Sequence, residues 1–177
     1  ASWLDGAAPL GIMAVAVALL MIGGEFDLSA GVAVTTSSLA ASMIAYNLHL
    51  NLWVGAILAL VVSLAVGFFN GYLVMKTKIP SFLITLSSFL MLTGINLAVT
   101  KLVSGQVATP SVSDMAGFDS AKKVFASSFS VFGVSVKITV VWWLLFTAIA
   151  TFVLFKTKIG NWIFAVGGNQ DRKSTRL

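Results

Sequence analysis

The chain has 177 residues, of which 58% are apolar and only 10% charged, against about 25% charged in an ordinary soluble domain. Its mean hydropathy of +0.99 excludes a water-soluble surface, which needs interspersed charge. The absence of cysteine excludes disulfides and thiolate metal sites. The net charge of +5 fits basic loops that orient a membrane protein better than a nucleic-acid interface.

Five apolar blocks follow one another, at residues 9–22, 28–46, 52–75, 82–99 and 138–155. Several of them approach or reach the roughly 20 residues that a helix needs to cross the hydrocarbon core. The expected fold is therefore all-α, a polytopic transmembrane helix bundle with about five membrane segments. Residues 1–170 form the membrane domain in this reading. No basic stretch precedes the first block, so no secretory signal is read there, and the chain is expected to lack its true N-terminus.

The first junction carries the sharpest local feature, Gly23-Gly24-Glu25-Phe26-Asp27-Leu28-Ser29-Ala30-Gly31. Carboxylates near membrane depth are costly and tend to mark a pathway or a partner. Gly24, Glu25, Asp27, Ser29 and Gly31 are thus candidates for a translocation or helix-break motif. A plainer reading serves the same residues: a tight turn at the membrane surface, with Asp27 or Ser29 capping the next helix. That reading accounts for Asp27 and leaves Glu25 unexplained.

In the second block Thr35, Thr36, Ser37 and Ser38 can bond back to carbonyls of their own helix. His49, the only histidine, reads as a solvated loop residue, because no second ligand completes a metal site. The third block repeats small residues at every fourth position: Gly55, Ala59, Ser63, Gly67 and Gly71. Such ridges let helix backbones approach closely in lipid, so a buried packing face is expected. Asn70 and Asn96 are read as interhelical hydrogen-bonding amides.

Residues 100–137 form a long polar stretch, whose part 127–136 alternates in a way that suits a short strand or a re-entrant piece. The third and fifth blocks end in an echo, Lys76-Thr77-Lys78-Ile79 and Lys156-Thr157-Lys158-Ile159. Two crossings separate the echoes, so both fall on one side, and the positive-inside rule makes that side cytoplasmic. Trp53, Trp142, Trp143 and Trp162 lie near expected helix ends, where indoles favour the headgroup level. No phosphate-binding loop, hydrolytic triad or metal-binding helix motif is visible, so no catalytic residue, metal or cofactor is assigned.

Three motifs resemble the ribose-type permeases of bacterial ABC importers. They are Gly24-Glu25-Phe26-Asp27-Leu28-Ser29-Ala30-Gly31, then Gly67-Phe68-Phe69-Asn70-Gly71 followed by the run from Lys78 to Leu86, and finally the run from Gly160 to Asn169. The resemblance implies a plasma-membrane permease subunit of about ten helices, of which this chain shows about half. It further implies a second permease subunit, cytoplasmic ATP-binding subunits and an extracytoplasmic solute-binding protein as partners. Gly167, Gly168 and Asn169 would begin the ATPase-coupling loop, and a monosaccharide or similar small polar solute would be carried. Without the resemblance, an ion- or proton-coupled secondary transporter or channel fits the same physics, as does a membrane scaffold.

The end departs from the family pattern. Asp171-Arg172-Lys173-Ser174-Thr175-Arg176-Leu177 replaces an expected Ala-Ala and resembles a translated sequencing-library adapter. Residues 171–177 are therefore expected to be a non-native, disordered tail, and the 177-residue chain alone is not expected to transport.

Overall fold

The structure is a computed structural model that describes residues 2–168, except 110, 132 and 133. Its elements run α1 (Ser2–Ile22), α2 (Ala30–Asn47), α3 (Leu52–Thr77), α4 (Ser81–Ser104), α5 (Phe118–Phe125), β1 (Ser128–Val131), β2 (Val134–Lys137), α6 (Ile138–Lys156) and α7 (Lys158–Gly168). The all-α expectation holds. Among the described residues four helices, α1, α3, α4 and α6, are long and apolar enough to span a membrane. The second expected span, α2, forms as a helix but falls outside that group, because four successive hydroxyl residues, Thr35 to Ser38, dilute its apolar content. It packs against both α3 and α4, and Val32, Ser37, Met43 and Ala45 are buried along it.

The chain divides into two compact units. In the unit of Leu28–Lys123, α2, α3 and α4 associate. Asn96 Nδ2 donates to Thr36 Oγ1 at 3.0 Å, which ties α4 to α2. Thr36, Ser37 and Ser38 all donate to carbonyls one turn back, so their hydroxyls are satisfied without water, as a membrane interior requires. Asn51 caps α3 by accepting from Trp53 N. The indole of Trp53 donates to Ser120 Oγ at 2.9 Å, holding α5 beside the start of α3.

In the unit of Ala1–Asp27 and Val124–Leu177, α1 packs on α6 and α7. Helix α1 starts seven residues before the expected block and carries Pro9 inside it. Gly11 leaves room for the Trp143 indole, which any Cβ there would overlap. The alternating stretch resolves as a strand pair: β1 and β2 are antiparallel, with Ser128 opposite Lys137. Asp5 Oδ1 accepts from Lys137 N at 2.9 Å, which anchors this hairpin to α1.

The echoed Lys-Thr-Lys segments share one device. Thr77 Oγ1 donates to Leu73 O and accepts from Ile79 N, while Thr157 Oγ1 donates to Val153 O and accepts from Gly160 N. Each threonine thus ends one helix and satisfies an amide that follows it. After Thr77 the backbone turns left-handed at Lys78 (φ 58°), whereas after Thr157 it starts α7.

Candidate functional site

Gly24 explains the helix break. Its φ of +84° is the left-handed conformation that favours glycine. Gly24 N donates to Met21 O and Glu25 N to Leu20 O, the paired bonds of a Schellman motif that closes α1. Glu25 and Asp27 follow in non-helical chain, both half-buried. Of the two capping candidates, Asp27 and Ser29, it is Ser29 that takes the N-cap position of α2, and its side chain makes no capping bond. Ser29 has a helical φ/ψ of −77°/−11°, which differs from the extended geometry of a capping serine.

The Ser29 hydroxyl serves another purpose. It is 1% exposed and accepts from Asn70 Nδ2 at 2.8 Å. Asn70 Oδ1 accepts in turn from Ser88 Oγ at 2.6 Å. Beside them Thr85 Oγ1 accepts from Leu28 N at 3.2 Å and donates to Ser81 O at 2.8 Å. A hydroxyl–amide node therefore binds the start of α2 to α3 and α4, with Ser29, Asn70 and Thr85 all buried. Buried polar atoms with partners rigidify a helix bundle, because breaking them in a low-dielectric interior is costly.

Two of the three sequence motifs meet at this node: Leu28 and Ser29 from the first, Asn70 and Thr85 from the second. Ser88 had no assigned role in the sequence. Its only signal was its place on an apolar helix one turn beyond Thr85. A cavity of about 580 Å³ opens between α3 and α4, lined by Asn70, Ser87 and Ser88 among apolar residues such as Phe69 and Met91.

The remaining candidates are placed as follows. Gly31 lies in the first turn of α2, with open space where a side chain would stand. The small-residue ridge divides. Gly55 is buried against Ala41 O and Ala45 Cβ, each 3.0 Å from where a Cβ would stand. Ala59 and Ser63 are half-buried, but Gly67 and Gly71 are exposed and, beyond the adjoining backbone of α3, have no atom of the described residues within 4 Å of that position. The ridge is thus not one continuous packing face within this chain. It precesses round α3, because a four-residue step overshoots the 3.6-residue turn, and only its first part meets α2. Gly167 and Gly168 close α7, Gly167 against the carbonyl of Ile22. Asn169 and residues 171–177 lie outside the described residues. His49 is exposed with φ 51°, and no group of three metal-ligating side chains occurs among the described residues.

Fold and node together define a multi-pass membrane protein whose helices are fixed by hydroxyls and amides at a helix break. Residues 1–175 match the family described as the permease component of the branched-chain amino acid transport system, and the chain belongs to that family. It is 29% identical over 160 residues to the ribose import permease protein of Haemophilus influenzae, covering 90% of this chain and 46% of that protein. It is 30% identical over 173 residues to the galactose/methyl galactoside import permease protein of Escherichia coli, covering 90% and 49%. Identity to the galactofuranose transporter permease protein of Escherichia coli is 30% over 168 residues, covering 94% and 45%. The chain spans about half the length of these relatives. No solved structure matches it. Membership of a family of transport permeases, with four apolar spans, places the chain in the bacterial plasma membrane as a multi-pass protein.

Proposed function

We propose that this chain is the first half of a permease subunit in an ATP-driven importer of a monosaccharide or a similar small polar solute. The observation that supports this most is the convergence of two permease-like motifs on the Ser29–Asn70–Thr85 node, in a chain whose named relatives import sugars. The complete subunit would pair with a second permease subunit over cytoplasmic ATP-binding subunits. An extracytoplasmic binding protein would deliver the solute. The chain carries no phosphate-binding loop of its own, so the energy would come from those partners.

Reconstitution of the complete subunit with its partners in proteoliposomes tests the reading. ATP-dependent uptake of ribose or galactose is the expected result. Uptake that ignores ATP but follows a proton or sodium gradient would establish a secondary transporter instead.

Sidedness has a separate test, made simple by the absence of cysteine. Cysteine placed at Lys78 or Lys158 is expected to react only with membrane-permeant reagents. Cysteine at His49 or Asp119 is expected to react with impermeant reagents added outside. Outside labelling at Lys78 would reverse the orientation and remove the cytoplasmic assignment of α7.

Within the helix-break motif, Glu25 is proposed as the charge specific to transport. In the complete transporter, Glu25→Gln is expected to assemble normally yet carry less solute. Asp27→Asn is expected to retain much of the assembly, since asparagine also caps well. Full transport by the first variant would remove Glu25 from the pathway.

A further inference from the structure

Helix α7 has one face fixed by backbone contact. Gly160, Ile163 and Gly167 are spaced three and four apart and so share that face. Any side chain at Gly160 would overlap the carbonyl of Leu154, at the end of α6. A side chain at Gly167 would overlap the carbonyl of Ile22, the last residue of α1, and Ile163 Cγ2 lies 3.9 Å from where a Cβ of Gly23 would stand. The adjacent stripe one residue earlier, Ile159, Trp162 and Val166, is exposed at 55%, 67% and 59%.

The location of the contact gives it meaning. Ile22 ends α1 immediately before Gly23, and Gly24 then turns left-handed to start the Glu25–Asp27 segment. The Ile22 carbonyl is among the last four of its helix, which lack ordinary intrahelical partners. Gly167 meets it backbone to backbone, with no rotatable side chain between them to absorb a displacement. We propose that Gly167 is a positioning residue that transmits movement of α7 to the helix break at Gly23–Asp27. This rests on the permease reading above, in which α7 leads into the ATPase-coupling loop. It adds the receiving element, the carboxyl end of α1.

The test uses the complete transporter in proteoliposomes, with ATP hydrolysis and solute uptake measured together. Gly167→Ala is expected to lower uptake by on the order of tenfold or more, as ångström-scale misplacements do, while ATP hydrolysis continues. Val166→Ala, one residue away on the exposed face, is expected to change neither. Equal loss of hydrolysis and uptake in Gly167→Ala would mark a merely structural glycine and overturn the proposal.

Should Gly167→Ala fail to fold, a cysteine pair decides the matter. Gly23→Cys with Ile163→Cys is expected to form a disulfide that blocks uptake, leaves ATP hydrolysis running, and releases uptake on reduction. Absence of the cross-link, or unchanged uptake once it has formed, would overturn the proposal. Complete protein that never imports sugar with ATP would instead defeat the permease reading and the coupling role with it, while the cross-link yield still judges the α1–α7 contact.

Discussion

Replacing Asn70 by leucine is expected to destabilise the helix bundle more than any other single polar substitution in it. The amide donates to Ser29 and accepts from Ser88, so two hydrogen bonds are lost together. Side-chain bonds between membrane helices average only about 0.6 kcal/mol, because the unfolded chain in lipid also finds partners. Here Ser29 is 1% exposed and Asn70 5%, so water cannot replace the lost bond. A loss of about 1–3 kcal/mol is expected for such a group. Thermal unfolding of the complete subunit in detergent measures it. Asn96→Leu removes one bond at a half-buried site and is expected to shift the midpoint clearly less. Thr85→Val belongs with Asn70→Leu, since it leaves Leu28 N without its acceptor. Equal shifts for Asn70→Leu and Asn96→Leu would show that the node has no special weight.

The parts of this protein legible in its sequence are those set by local chemistry and by the membrane. Long uncharged blocks locate helices within a few residues, because lipid leaves the backbone no alternative to internal hydrogen bonding. The interhelical roles of Asn70 and Asn96 were legible for the same reason: an amide in an apolar helix must find a partner. The apolar block at 9–22 is shorter than α1, which runs back through Asp5 to Ser2. Pro9 in fact lies inside the helix, where its missing N–H costs one bond to the carbonyl four residues back. The side chain of Ser29, the other capping candidate, does not cap, for a different reason. Capping depends on where the first helical turn begins, and the Ser29–Asn70 bond, 41 residues apart in sequence, draws that hydroxyl away from its own helix. No local pattern encodes a partner at that distance. Ser88 went unseen on the same grounds.

The divided ridge of α3 gives the second large effect. Gly55→Leu is expected to disrupt α2–α3 packing, because Ala41 O and Ala45 Cβ already stand 3.0 Å from any added Cβ. Overpacking of this kind costs about 1–3 kcal/mol where the backbone can shift. The obstruction is a carbonyl and a methyl fixed to another helix, neither of which can rotate away. The loss should therefore fall at the upper end of that range and appear as reduced folded yield. Gly67→Leu makes the opposite case in this 177-residue chain, where nothing outside the adjoining backbone of α3 lies within 4 Å of an added Cβ among the described residues. Removing a glycine from a helix interior favours the helix by up to about 1 kcal/mol, so yield should hold or rise. In the complete subunit, Gly67 and Gly71 are proposed to pack against further helices, and there Gly67→Leu is expected to lower yield as well. Leu58→Val, a small change on the same helix, serves as the reference in both lengths of chain. Folded yield and size-exclusion profile in detergent separate the cases. Loss with Gly55→Leu in both lengths, and with Gly67→Leu only in the longer, is the expected pattern. A silent Gly67→Leu in the complete subunit would mean that the second part of the ridge faces lipid.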